Sequence, residues 1–356
     1  MARSRRGTAR GGAGVLALVL ALLGATGCGA LTSGDDRKRA EEIAERVAPG
    51  ELEVVDVRNL FPQDGGAEVS FRMKDDPDAW VRLRVDASKD DCAGRPCEDR
   101  LEGALAEARR DAGDFRLMRR EFAACGYEVH GLSADGTGPW IAARVDAKTV
   151  RPLVASVGDC LERWTRARGG GAAPAYLSVK VAPPERVAGL PGDAGHPTLM
   201  RLSSGRRLAA LGDGTYHRIG FRSADGRIAL DSGEVDLVMP FDERERFGAA
   251  VRDAARTWLR EEAAPRLPEA AVSEYTGVWK LLPGRVDRVG GWVLYCERPE
   301  GERPVCLGRH ALAVTASLDG GLVGEPRVFR GVRDGDGPLG LPDEGDGAPS
   351  YAWPRG

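Results

Sequence analysis

Seven cysteines, four histidines and a scatter of aspartates are the residues of this 356-residue chain best suited to chemistry. Six of the cysteines, Cys92, Cys97, Cys125, Cys160, Cys296 and Cys306, lie in the body of the chain, and Cys28 stands apart near its start. Thiols serve as metal ligands, redox centres or disulfides. A zinc site gathers its ligands from short paired spacings, and only Cys92 and Cys97, with four residues between them, approach one. No second pair or neighbouring histidine completes that set, and no Cys-x-x-Cys is present for redox work. Six body cysteines, an even number, are therefore read as three disulfides. Closeness in sequence favours Cys92–Cys97 around a Gly-Arg-Pro turn, and Cys296–Cys306 around a polar, proline-containing hairpin loop. Cys125 is then left to Cys160.

The histidines, His130, His196, His217 and His310, are spread too widely for a local metal pair. His217, in Tyr216-His217-Arg218 on an expected strand, is the residue type of a general base; a hydrogen-bonded strand histidine is the plainer reading. Asp86 and Asp146 have the chemistry of a paired general acid and base. Each precedes a helix or the loop leading to one, where an aspartate caps backbone N–H groups or pairs with Arg84 and Arg144. Trp80 and Trp140 have the size of an aromatic binding platform, but at strand starts they read as core anchors packed on the following helices. Asp334-Gly335-Asp336-Gly337 opens like a calcium loop and fails at its twelfth position, which is Gly345. No Gly-x-Ser-x-Gly, Ser-x-x-Lys, His-Glu-x-x-His or Gly-Lys occurs, so the serine-hydrolase, zincin and P-loop signatures are missing. The chain is read with no catalytic residue, metal ligand or cofactor site.

Around Cys28 the pattern is that of an export signal. Arg3, Arg5, Arg6 and Arg10 form a positive start with no acid among them, and Val15–Leu23 is an unbroken apolar run. A helix of that length covers roughly 14 Å, about half of a bilayer core, so it engages a translocon without remaining as an anchor. Arg5-Arg6 lacks the apolar residues that follow the pair in a twin-arginine signal. Ala25-Thr26-Gly27-Cys28 then resembles the lipobox of bacterial lipoproteins, in which small residues precede a cysteine. Ala25 stands where leucine is most usual in that class, and the resemblance covers only the first tenth of the chain. It implies cleavage before Cys28, diacylglycerol on the Cys28 thiol, and a lipid-anchored protein on the extracytoplasmic face of the cell membrane. Residues 1–27 are expected as signal peptide, and 28–37 as the lipidated cysteine with a small, polar, flexible tether.

Charge narrows the partners. The chain carries 51 basic and 54 acidic residues; residues 1–27 hold four arginines and no acid, which leaves 47 basic against 54 acidic residues after cleavage. A surface of that sign attracts neither a phosphate backbone nor an anionic membrane, so nucleic acid is excluded as a partner and the lipid alone must hold the protein. With 42% hydrophobic residues the chain has enough apolar matter for a packed core.

The elements that must position these residues follow from periodicity. Residues 36–47 read as a helix and 51–60 as a strand; 67–74 and 80–86 form a hairpin about an Asp-Asp-Pro-Asp turn; 98–112 is helical. The same order then recurs, with 114–121 as a strand, 127–133 and 140–146 as a hairpin, and 149–166 as a helix carrying Val150, Leu153, Val154, Val157, Leu161 and Trp164 at helical spacing. At an offset of 60 the two hairpins share nine identities in 22 positions, including Trp80 with Trp140 and Asp86 with Asp146. Residues 38–168 are thus expected as a duplicated β-β-β-α domain, and 169–174, rich in glycine and alanine, as a linker. Residues 175–330 read as a second domain, with strands over 176–181, 215–222, 227–230, 235–239, 271–282, 291–296, 306–317 and 325–330. Asp242 opens its helix with Glu245 as capping box, and Phe247, Val251, Ala254 and Trp258 point inward. The tail 331–356 lacks apolar period and is read as disordered. Strands followed by helices, without βαβ alternation, predict an α+β fold with antiparallel sheets.

These readings describe a membrane-anchored extracytoplasmic lipoprotein that binds an envelope protein or a small ligand without catalysis. The alternative is an extracytoplasmic hydrolase with a site assembled from distant residues.

Overall fold

The computed structural model describes residues 27–330, apart from 63, 90–91, 93, 134–137, 170–173, 193–194, 225–226, 275–278, 283, 300, 302–305 and 307–309. The body of the signal peptide, the Asp334–Gly337 loop and the tail lie outside the described residues, as does most of the linker. The fold is α+β. It divides into two compact units: the chain up to Asp114 with Asp193–Arg201, and Phe115–Gly192 with the chain from Leu202 on. The division at 114 falls inside a helix and not at the glycine-rich stretch 169–174.

In the first unit, helix α1 (Gly27–Val47) precedes an antiparallel sheet in the order β1 (Leu52–Asn59), β2 (Ala67–Met73), β3 (Trp80–Val85). The expected tether over 28–37 is helical from Gly27 on. Strand alternation gives the sheet one dry face. Val69 pairs with Leu83 and Phe71 with Val81, all buried, whereas Arg82 and Arg84 project outward. Ala40, Ile43 and Ala44 of α1 supply a buried helical stripe. Asp36, assigned to the tether by sequence, is instead buried, and its carboxylate accepts the Ala87 N–H at 2.7 Å. Burial, chiefly, raises its pKa, with Asp86 and Asp35 adding to the effect against that hydrogen bond.

Helix α2 (Cys97–Ala124) overturns the strand expected over 114–121. The physical reason is one continuous stripe: Leu101, Leu105, Ala108, Ala112, Phe115, Met118 and Phe122 are all buried at spacings of three and four. The duplicated β-β-β-α unit is therefore not confirmed. Its second copy has helix where the first has β1, and its hairpin shrinks to β4 (Gly131–Leu132) and β5 (Pro139–Ala142), paired only at Gly131–Trp140 and Leu132–Pro139. Trp80 and Trp140 also differ: Trp80 is half-buried with the Arg82 guanidinium 4.2 Å over its ring, and Trp140 is buried.

The second unit carries two sheets. The first runs β4-β5-β6-β7-β8, with β9 also on β7; here β6 is Tyr176–Ala182, β7 Tyr216–Ala224, β8 Arg227–Ile228 and β9 Glu234–Val238. Strand β5 lies parallel to β6, so elements on either side of the expected linker share one sheet. Helix α3 (Val150–Ala167) buries the predicted Val150, Leu153, Val154, Val157, Leu161 and Trp164. Three short helices follow β6: α4 (Pro184–Ala188), α5 (Thr198–Leu202), which belongs largely to the first unit, and α6 (Gly205–Gly212). Helix α7 (Phe241–Glu261) follows β9 and buries Phe247, Val251 and Trp258, with Ala255 in place of the predicted Ala254. Its N-cap residue is Pro240 with no side-chain cap, so the Asp242–Glu245 capping box is absent. Asp242 and Glu243 still complement the helix dipole from the first turn. The second sheet has the order β10 (Ala271–Val272), β12 (Arg288–Cys296), β13 (His310–Ser317), β14 (Arg327–Arg330), with β11 (Trp279–Leu281) also on β12.

Three disulfides close as Cys92–Cys97, Cys125–Cys160 and Cys296–Cys306, with Cα–Cα separations of 4.8, 6.1 and 5.3 Å. The second joins the residue after α2 to the buried middle of α3.

Arg186, on α4, holds the end of α6. Its guanidinium donates to the carbonyls of Leu211 at 3.0 Å, Gly214 at 3.1 Å and Thr215 at 3.0 Å. The Leu211 carbonyl lies in the last turn of α6 and lacks an intrahelical donor, and Gly214 and Thr215 lie in the turn that follows, so one fork ties the helix end to its exit. Arg186→Met is expected to lower stability by about 2–3 kcal/mol, the cost of charge-assisted bonds lost and acceptors left dry. Arg186→Lys recovers less than half, because an ammonium lacks the planar fork. Urea unfolding of the three proteins checks this; full recovery by lysine would show that only charge matters.

Candidate functional site

The residues singled out from sequence are not brought together by the fold. Asp86 accepts the backbone N–H and hydroxyl of Ser88 and lies 3.0 Å from the Lys89 ammonium. Those partners, the Ser88 hydroxyl first, hold its carboxyl at about 2. Asp146 accepts the N–H groups of Lys148 and Thr149, which hold its pKa down, while Thr149 Oγ1 accepts the Asp146 N–H in return. Both aspartates organise local turns and neither is the N-cap of the helix that follows, which begins at Cys97 in one case and has Thr149 as its N-cap in the other. The expected pairing of Asp86 with Arg84 gives way to Lys89, since Arg84 pairs with Asp64 at 2.7 Å.

His217 lies on β7 beside Val181 and Leu237, in the row next to the buried Val179 and Ile219. Its Nε2 is buried without a hydrogen-bond partner, and burial pushes its pKa down to about 4. A general base needs a proton donor within reach, and this imidazole faces apolar core. His130 is also held down by burial, with Glu128 3.9 Å from its Nδ1. Its carbonyl accepts Arg207 Nε at 2.6 Å. Among the described residues, no group of three or more His, Cys, Asp or Glu stands where it could hold a metal ion.

Two clefts include acids that already have partners among their lining residues. One of about 330 Å³ lies between α1 and β1, where Glu41 pairs with Arg37 and Glu53 with Arg72. The other, about 580 Å³, lies beside the last turns of α7, where Asp253 pairs with Arg256 and Glu325 with Arg266.

A different surface has the composition of a binding site. The register of the first sheet of the second unit puts Trp140, Lys180, Arg218 and Asp236 in one row across β5, β6, β7 and β9. The neighbouring row holds Ser178, Gly220 and Glu234, and the next pairs Tyr176 with Arg222. Directly paired residues share a face, so all of these project opposite the Phe221 face, against which α3 packs at Gly158. Helix α6 covers one end of this front face: Leu211 packs with Trp140 and Ala182, and Leu208 and Tyr216 pack against that cluster. The Tyr216 ring sits 4.6 Å from Trp140, centre to centre, and the Lys180 ammonium 5.4 Å from the same indole. Trp140 is thus a core residue as expected, anchored on α6 and β7 rather than on the following helix.

Beyond α6 the face is open. Tyr176 is 41% exposed. A Cβ placed on Gly220 would lie 1.7 Å from the Tyr176 hydroxyl and 2.4 Å from its Cζ. The phenol end therefore lies down on the backbone of β7, in space that only glycine leaves free. Arg218 donates twice to Asp236 Oδ2, at 3.0 and 2.6 Å. Burial opposes the charge of Arg218, and the Asp236 bond outweighs it, so its pKa is raised. Arg218 interacts electrostatically with both tyrosines, whose pKa values burial raises. Arg222 lies 3.4 Å from Glu234.

This arrangement offers rings, hydroxyls and paired charges on one face. Sequence reading placed both strands and passed over this face for His217. The available signal was period two: Tyr176, Ser178 and Lys180 alternate with apolar residues, as do Tyr216, Arg218 and Arg222 with His217, Ile219 and Phe221. Comparison of the chain with protein-family models, with curated proteins and with solved structures finds no match.

Proposed function

We propose that the chain is an extracytoplasmic lipoprotein, held at the outer face of the cell membrane by diacylglycerol on Cys28, that binds an envelope component through the front face of its second unit. The single observation that carries the location is the conjunction of a short apolar run and Ala25-Thr26-Gly27-Cys28 with three closed disulfides. Disulfides persist where thiols are not kept reduced, which agrees with export. Among the described residues no helix is long and apolar enough to cross a membrane, so the anchor in this reading is the lipid. Binding rather than hydrolysis is favoured by Tyr176, Tyr216 and Arg218 on one face, the residue types that dominate recognition surfaces.

Metabolic labelling with a radioactive fatty acid tests the anchor. Label is expected on the wild-type protein and is lost in Cys28→Ala, which accumulates uncleaved or leaves the membrane fraction. Equal label on both proteins would remove Cys28 from the mechanism.

A further inference from the structure

From the front face of the second unit we infer a ligand class, a neutral polyhydroxylated saccharide, stacked on Tyr176 and hydrogen-bonded by the Arg218–Asp236 pair. The inference rests on the reading of that face as a binding surface.

Three features select this chemistry. First, the phenol end of Tyr176 lies down on Gly220, with 41% of the residue still exposed, so the ring is offered as a platform and not as a knob. A platform suits a flat partner such as the C–H face of a sugar ring, whereas protein anchors more often fill pockets. Second, both guanidinium groups of the face are compensated at home, Arg218 by Asp236 and Arg222 by Glu234, while the Lys180 ammonium lies over the Trp140 ring under the edge of α6. A phosphate or carboxylate ligand would have to displace those carboxylates, and a cationic ligand the guanidinium groups. A neutral ligand displaces neither. Third, a sugar hydroxyl both donates and accepts, and Arg218 with Asp236 offers a donor and an acceptor within one hydrogen-bonded pair. The hydroxyls of Tyr176, Tyr216 and Ser178 add groups of the same dual kind. From Tyr216 to Gly220, where the Tyr176 ring ends, the strand rises about 13 Å, room for more than one sugar ring.

Co-sedimentation of the mature full-length protein with chitin, and with cross-linked dextran, tests the proposal; the first probe is a neutral amino-sugar polymer and the second a neutral hexose polymer. Sedimentation with either is expected. Tyr176→Ala and Arg218→Gln should each weaken it at least tenfold, and Tyr176→Phe, which keeps the ring, should stay within about threefold. Gly220→Ala is the sharper variant, since it removes no ligand-touching side chain and displaces the Tyr176 ring alone; it should also lose at least tenfold. Circular dichroism and an unchanged melting temperature establish that each variant is folded, and Ser178→Ala is a milder substitution for any that is not. Sedimentation with neither polymer, or sedimentation untouched by all the variants, overturns the saccharide. If the same variants abolish capture of an envelope protein while polymer binding is absent, the face binds protein and the saccharide alone fails. If they alter no interaction at all, the reading of the face fails with it.

Discussion

Replacing Cys125 and Cys160 together by alanine is expected to lower the melting temperature of the second unit by roughly 8–15 °C. The disulfide closes a loop of 35 residues, against 10 for Cys296–Cys306 and 5 for Cys92–Cys97. Chain-entropy cost rises with the logarithm of that length, to about 3.8, 2.7 and 2.1 kcal/mol respectively. The long loop contains β4 and β5, two short strands held by only two residue pairs to each other and by three to β6. Such strands have little pairing of their own, and the disulfide restrains them by tying the end of α2 to the middle of α3. Alanine is the chosen replacement because Cys160 is fully buried, and a serine hydroxyl there would add the separate cost of an unpaired polar group. Scanning calorimetry of the three double variants checks the ranking within the second unit: Cys125→Ala with Cys160→Ala must fall further than Cys296→Ala with Cys306→Ala. Peptide mapping without reductant comes first, and Cys125 joined to any partner but Cys160 ends the argument.

Acid should unfold the protein partly through His217. Burial holds its imidazole at about 4 in the folded state, against an ordinary value near 6.5. The folded state therefore favours the neutral ring. Above pH 6.5 neither state binds the proton and His217 contributes no pH dependence. As pH falls from 6.5 towards 4 the unfolded chain takes up a proton that the folded chain refuses, and stability is lost throughout that window. The expected loss at pH 4.5 is about 2.5 kcal/mol relative to pH 7.5, from a shift worth about 1.36 kcal/mol per unit. Asp86, held at about 2, loses its own contribution only at lower pH, so the two windows separate. His217→Leu removes both the titration and an unpartnered buried nitrogen, and so should be neutral or stabilising at pH 7.5. Urea unfolding at the two pH values gives the test as a difference: the wild type must lose about 2.5 kcal/mol more than the variant. Equal losses would mean that the imidazole is reached by water.

Several parts of this protein are settled by residue order alone, because the forces concerned act over a few residues. Helix α3 is legible from Val150, Leu153, Val154, Val157, Leu161 and Trp164, since a stripe at helical spacing has one way to be buried. The alternation of β3, with Val81, Leu83 and Val85 inward and Arg82 and Arg84 outward, is equally local. The disulfide pairing followed from proximity for two pairs and from elimination for the third. Asp146 could be recognised as a turn former because its acceptors and their donors lie within three residues.

What required tertiary structure is everything that depends on a distant partner. The segment 114–121 reads as a strand over eight residues and as a helix only when Phe115, Met118 and Phe122 are joined to the stripe that begins at Leu101; the longer stripe wins because it buries more apolar surface on one face. The likeness between the 66–87 and 126–147 segments carries over only as a short hairpin: the segment that would match β1 is taken into α2, and β5, unlike the edge strand β3, finds a second partner in β6, beyond the expected linker. His217 changes from a candidate base to a half-buried ring, its Nε2 out of water, because Val181 and Leu237 flank it across two strands, a fact that no local pattern contains. The front face has the same origin. Tyr176, Gly220, Arg218 and Asp236 lie on three strands, up to 60 residues apart in sequence, and strand register, which is fixed by which side chains the opposite face buries, alone brings them into adjoining rows.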